Sequence, residues 1–85
     1  MLIFVYKGAT IMVEQIKQVI AEQLGISADE IELDGDIMEV YGADSLDAVD
    51  MVMTFEDMFG ISVPDEDAIE LRTVRKIANY IEENK

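Results

Sequence analysis

The chain reads as an all-α protein, a small bundle of three main helices plus one short helix. Three observations carry that reading. Apolar residues recur at three- and four-residue spacing in "IMVEQIKQVIAEQLG" and again in "TVRKIANYI". Glycines and capping residues bracket the periodic stretches. With 85 residues, 51% of them hydrophobic, the chain suits one small domain near the lower limit of a self-sufficient core.

In order along the chain, Met12, Ile16, Val19, Ile20 and Leu24 fall on one helical face, which predicts a first helix over 12–24 stopped by Gly25. The domain is placed at 12–85, with residues 1–11 as an N-terminal extension whose start, Met1 or Met12, stays open. A lone edge strand is the other reading of that extension. Its apolar run is too short for a membrane span or an ordinary signal sequence. The segment 26–43 has no sustained period, but Ile26, Ile31, Leu33, Ile37 and Val40 can each pin it to a core, and so long a connection suggests function. A second helix is expected to start at Asp44 or Ser45 and end before Gly60. After Pro64 a short acidic helical turn follows, with Ala68, Ile69 and Leu71 facing inward. The last helix opens at Thr73 and carries Val74, Ile77, Ala78 and Ile81 at i, i+3, i+4 and i+7.

Composition narrows the chemistry. The chain has no cysteine and no histidine, which removes disulfides, thiolate chemistry, the usual general base and the commonest metal ligand. Built-in catalysis is not expected. Nineteen acidic residues against six basic ones give a formal charge of -13, which repels nucleic acid and anionic membranes and favours basic protein surfaces. A cytoplasmic monomer is the default. The acidic loop "EIELDGDIMEVY" is not an EF-hand, because Gly35 at loop position six puts Tyr41 where the bidentate glutamate belongs.

One stretch, "YGADSLDAVDMVM", sets Ser45 between Asp44 and Leu46–Asp47 at the predicted helix start. A serine there is first of all a cap. As a catalytic nucleophile it lacks a histidine, a G-x-S-x-G elbow and the S-x-x-K spacing. As an acceptor it is well placed, since a helix N-terminus favours an attached phosphate.

The stretch "GADSLDAVDMVMTFEDMFGISVPDEDA" resembles the phosphopantetheine-attachment region of acyl carrier proteins, and the resemblance extends through "VIAEQLGI" and "TVRKIANYI", about residues 12–83. It implies that a holo-carrier synthase, a phosphopantetheinyl transferase, moves 4'-phosphopantetheine from coenzyme A onto Ser45, beside Asp44. The thiol is then borrowed rather than encoded, and acyl groups ride on it as thioesters between fatty acid biosynthesis enzymes and acyltransferases. The sequence departs from the family's usual pattern at Tyr41, where an aliphatic residue is common, and at Met58, where another acid is frequent.

On a helical wheel Asp47, Asp50 and Asp57 form one stripe, with Leu46 and Met53 along its border and Met51 and Met58 at the other edge. Val49, Val52, Phe55 and Phe59 lie opposite and are expected in the core. A charged stripe is ordinarily a solvated face, but methionines beside acids suit several partners. The resemblance implies docking on basic patches through Asp44, Leu46, Asp47, Asp50, Met53, Glu56 and Asp57, although the wheel turns Glu56 toward the apolar side. An acyl shelter is expected between the second helix and the short third one, walled by Val49, Met53, Val63, Ala68 and Leu71. Other readings are a carrier for polyketide, peptidyl or D-alanyl groups, or an acidic interaction protein that is never modified.

Overall fold

In a computed structural model that describes residues 2–84, with side chains from residue 11 to 84, the described residues form helices and connecting loops. Helix α1 spans Leu2–Leu24, α2 Ser45–Phe59, α3 Asp65–Ala68 and α4 Val74–Asn84. A single 3₁₀ turn lies at Ala28–Glu30. Helix α1 packs against α4, α2 and the 3₁₀ turn.

The first helix begins ten residues earlier than its periodic face predicts and runs through residue 12 without a break. The strand alternative for residues 1–11 is not adopted over the described part of that segment. An isolated strand leaves its N–H and C=O groups without a ladder, whereas a helix extended from an existing one satisfies each new residue internally. At 1.5 Å per residue such a helix is about 35 Å long, which accounts for most of the 40 Å long axis.

The core is a cluster in which Ile16, Ile20, Ile31, Val74 and Ile81 are fully enclosed, joined by Phe55, Met51, Ile77 and Ile37. Each such aliphatic side chain stabilises the fold by about 1.5–3 kcal/mol relative to exposure. Phe55 and Phe59 meet with ring centroids 6.5 Å apart in a tilted arrangement. The expected anchors of the 26–43 segment divide: Ile31 and Ile37 are buried, Ile26 and Leu33 half-buried, and Val40 is exposed.

That segment is held by polar contacts as well. Leu33 C=O accepts from Arg75 N–H and Ile37 N–H donates to Arg72 C=O. Arg75 binds both Asp34 oxygens, at 2.7 and 3.1 Å, and Arg72 Nε lies 2.9 Å from Asp36. Asp36 also accepts the N–H groups of Met38 and Glu39. The Arg75 hydrogen bonds hold the Asp34 carboxyl below its usual value. Asp36 is lowered first by the Glu39 N–H and then by Arg72, against a partial desolvation that opposes both. At Gly35 the Tyr41 ring closes over the backbone: an added Cβ would lie 2.6 Å from the hydroxyl oxygen. That oxygen accepts the Glu32 N–H at 2.7 Å.

Candidate functional site

The start of α2 is fixed by a reciprocal cap. Asp44, extended at the N-cap, accepts the Asp47 N–H at 2.9 Å, and Asp47 accepts the Asp44 N–H at 3.2 Å. The other Asp47 oxygen takes the Gln23 side-chain amide of α1 at 3.3 Å. The cap function that local sequence suggested for Ser45 therefore belongs to Asp44. Ser45 is the first helical residue, and it is exposed. The helix ends at Gly60, whose left-handed φ of 65° lets its N–H and that of Ile61 both reach Glu56 C=O.

Ser45 stands on the rim of a cavity of about 490 Å³ between α2, α3 and the 26–43 segment. Val49, Met53, Val63, Ala68 and Leu71, the five residues predicted as walls, all line it. Sequence reasoning missed Ala48 and Val52, although both continue the i, i+3/i+4 stripe that starts at Ser45. It also missed Ile37, Met38 and Arg72, which only tertiary contact brings there.

The helix faces need correction. Val49 was expected in the core, yet it is 54% exposed, while Met51, placed at the edge of the acidic stripe, is 3% exposed. The gap between α2 and α3 is the reason: the side of α2 bearing Val49 opens onto the cavity, and Met51 joins the core cluster. Val52 and Phe59 are half-buried. Ile69, expected inward, is 74% exposed, because α3 is a single turn and the chain leaves it at the cavity's edge.

The expected docking residues also separate. Asp50 and Asp57 are exposed, and Leu46 and Met53 stand out at 70% and 57%. Asp47 is half-buried and committed to the cap and to Gln23. Glu56 departs from that face: it is half-buried, lines the cavity, and its carboxylate accepts the Val63 N–H at 2.8 Å. On the far side of α3, Tyr80 donates to Asp67 at 2.9 Å. That hydrogen bond and partial burial raise the phenol above its usual value.

The arrangement suits a serine that another enzyme modifies rather than a nucleophile activated within this chain. Its hydroxyl is open to an approaching enzyme, it sits at the positive end of a fifteen-residue helix, and an apolar cavity lies beside it. Those are the requirements of a phosphodiester-linked arm with an apolar load, so the residues present fit phosphopantetheine. No helix among the described residues is long and apolar enough to cross a membrane.

The comparisons agree. The family described as "Phosphopantetheine attachment site" matches residues 14–81. A solved structure of the acyl carrier protein from Enterococcus faecalis, reported for its high thermal stability, is similar with a TM-score of 0.78 and 28% identity over 91% of this chain and 98% of that one. The family match takes in Ser45, the residues that line the cavity beside it, and the whole of α2 and α3, and on that ground the chain belongs to the phosphopantetheine-attachment family and has the acyl carrier protein fold.

Proposed function

We propose that this protein carries fatty acyl chains as thioesters during fatty acid biosynthesis, with Ser45 as the residue that receives 4'-phosphopantetheine from coenzyme A. The observation that carries the reading is the position of Ser45: exposed, first in α2, and on the rim of an apolar cavity. When bound, the prosthetic group supplies the thiol that the sequence lacks. The chain's own residues do the rest. Asp44 and Asp47 hold the first turn of α2, where Ser45 stands exposed. Val49, Met53, Val63, Ala68 and Leu71 shield an apolar load from water.

Leu46 and Met53 offer apolar anchors beside Asp50 and Asp57, a face suited to basic patches on a holo-carrier synthase, on acyltransferases and on the enzymes that elongate the chain. Asp47 contributes charge there from within its cap. The protein acts as a carrier and not as a catalyst, in the cytoplasm, as a monomer.

Incubation with coenzyme A, magnesium and a holo-carrier synthase is expected to add one phosphopantetheine to the wild type and none to Ser45→Ala, read by intact-protein mass. Modification of the alanine variant at another residue defeats the assignment. Ser45→Thr serves as a folding control. Reconstitution with fatty acid elongation enzymes, beside polyketide enzymes, separates the pathways: turnover with only the latter overturns the fatty acid reading.

A further inference from the structure

Along α2 the cavity lining runs as a stripe of Ser45, Ala48 and Val49, Val52 and Met53, then Glu56, with buried Met51 and Phe55 along its core side. From Ser45 to Glu56 is about three turns, or about 16 Å, and everything on the stripe between them is apolar. Glu56 does two physical things at the end remote from Ser45. Its carboxylate reaches across the Gly60 turn to hold the Val63 N–H at 2.8 Å, and buried Val63 is part of the facing wall. It also puts a charge where an advancing hydrocarbon would strip water from it, which is unfavourable for a carboxylate that gains no new partner.

We propose that Glu56 sets the length of acyl chain that the carrier shelters, as a positioning residue that closes the cavity by pinning Val63 and by its charge. The inference rests on the proposed acyl cargo and deepens it. Glu56→Gln separates the two effects, because the amide oxygen still accepts from Val63 while the charge is gone. Glu56→Ala removes both.

The test loads wild type and both variants with a ladder of saturated acyl groups, from short to long, and measures thioester cleavage by hydroxylamine at each length. Wild-type protection is expected to grow with length and then stop. In Glu56→Gln the limit moves to longer chains, with the first chains beyond the wild-type limit released about fivefold more slowly. In unloaded protein, Val63 amide exchange is expected to be about tenfold faster in Glu56→Ala and close to wild type in Glu56→Gln, as the loss of one hydrogen bond to a charged group dictates. An unchanged length limit in Glu56→Gln overturns the proposal and leaves Glu56 as a loop tie alone. Unchanged Val63 exchange in Glu56→Ala overturns the clamp. A wild type that protects no chain of any length removes the acyl shelter itself, a failure distinct from both. If the alanine variant does not fold, the glutamine variant alone decides the length limit.

Discussion

Replacing Asp44 by alanine tests the reading of the α2 start most directly, because it removes the side chain that accepts the Asp47 N–H and keeps the backbone N–H that donates in return. The Asp44 carboxylate satisfies the Asp47 N–H at 2.9 Å, and the Asp47 carboxylate returns to the Asp44 N–H at 3.2 Å. Loss of an aspartate cap costs about 1 kcal/mol, within a range of about 0.5–2 kcal/mol. A negative charge at a helix N-terminus contributes up to about 1 kcal/mol more, screened by salt. Relief of repulsion in a chain of charge -13 works the other way. The net expectation for Asp44→Ala is a loss of about 1 kcal/mol, which in a domain of this size lowers Tm by about 4–8 °C. Asp44→Asn keeps the acceptor and should lose less than half as much. Thermal melts followed by far-ultraviolet circular dichroism provide the measurement. Because the cap is reciprocal, Asp44→Ala and Asp47→Ala should not be additive: the double variant should cost little more than the worse single one. Additive losses, or an Asp44→Ala protein that melts with the wild type, would refute the argument that this pair holds Ser45 in place.

Four further outcomes follow from contacts described above. The Asp34 and Asp36 carboxyls, held below the ordinary aspartate value of 3.8 by Arg75 and by the Glu39 N–H with Arg72, favour the fold above that value. Their contribution disappears as pH falls through their lower folded values; carboxyl NMR titration should show both midpoints depressed, and Arg75→Gln should return Asp34 toward 3.8. The Tyr80 phenol, raised above 10.0 by its bond to Asp67, favours the fold below about pH 10 and ceases to do so as pH climbs through the raised value. Ultraviolet titration should locate that midpoint, and Asp67→Asn should lower it. Reversing the exposed Asp50 and Asp57 together to lysine, which leaves the Asp44–Asp47 cap intact, should slow modification by a holo-carrier synthase, and wild-type modification should slow with salt; a normal rate in a folded double variant would leave an ordinary solvated face. A chain starting at Met12 should melt close to the full chain and be modified normally, whereas a loss of several kcal/mol would show that residues 2–11 support the bundle.

Local chemistry was legible in the sequence, and long-range geometry was not. Gly25, Gly60, Pro64 and the Asp44–Asp47 spacing announce helix ends because caps are decided within four residues. The 3₁₀ turn was equally readable, since Ser27 and Glu30 form a capping box with the usual spacing, but it went unnoticed inside an aperiodic loop. Which side of α2 meets the core depends on where α1 and α3 stand, so the wheel identified the stripes and exchanged the fates of Val49 and Met51. The Asp34–Arg75 and Asp36–Arg72 pairs join residues 41 and 36 positions apart, beyond the reach of any spacing rule. At the site, Ser45 stood out by its motif, and the five residues expected as walls line the cavity beside it. The Glu56–Val63 contact was hidden because it crosses a turn whose path only the folded chain defines.

The closure of Tyr41 over Gly35 constrains how this sequence can drift. Gly35 does not have a positive φ, so its backbone would accept other residues; the phenol hydroxyl 2.6 Å from a notional Cβ is what any side chain there would have to displace, together with its bond to the Glu32 N–H. The two positions are therefore coupled in order as well as in kind. A descendant that first trades Tyr41 for an aliphatic residue vacates the space above position 35 and gives up the acceptor for the Glu32 N–H, after which a side chain at 35 becomes neutral. The reverse order passes through an intermediate in which the Tyr41 ring must move aside. Among relatives of this chain, tyrosine at 41 should travel with glycine at 35, and lineages without that tyrosine should show position 35 free to vary.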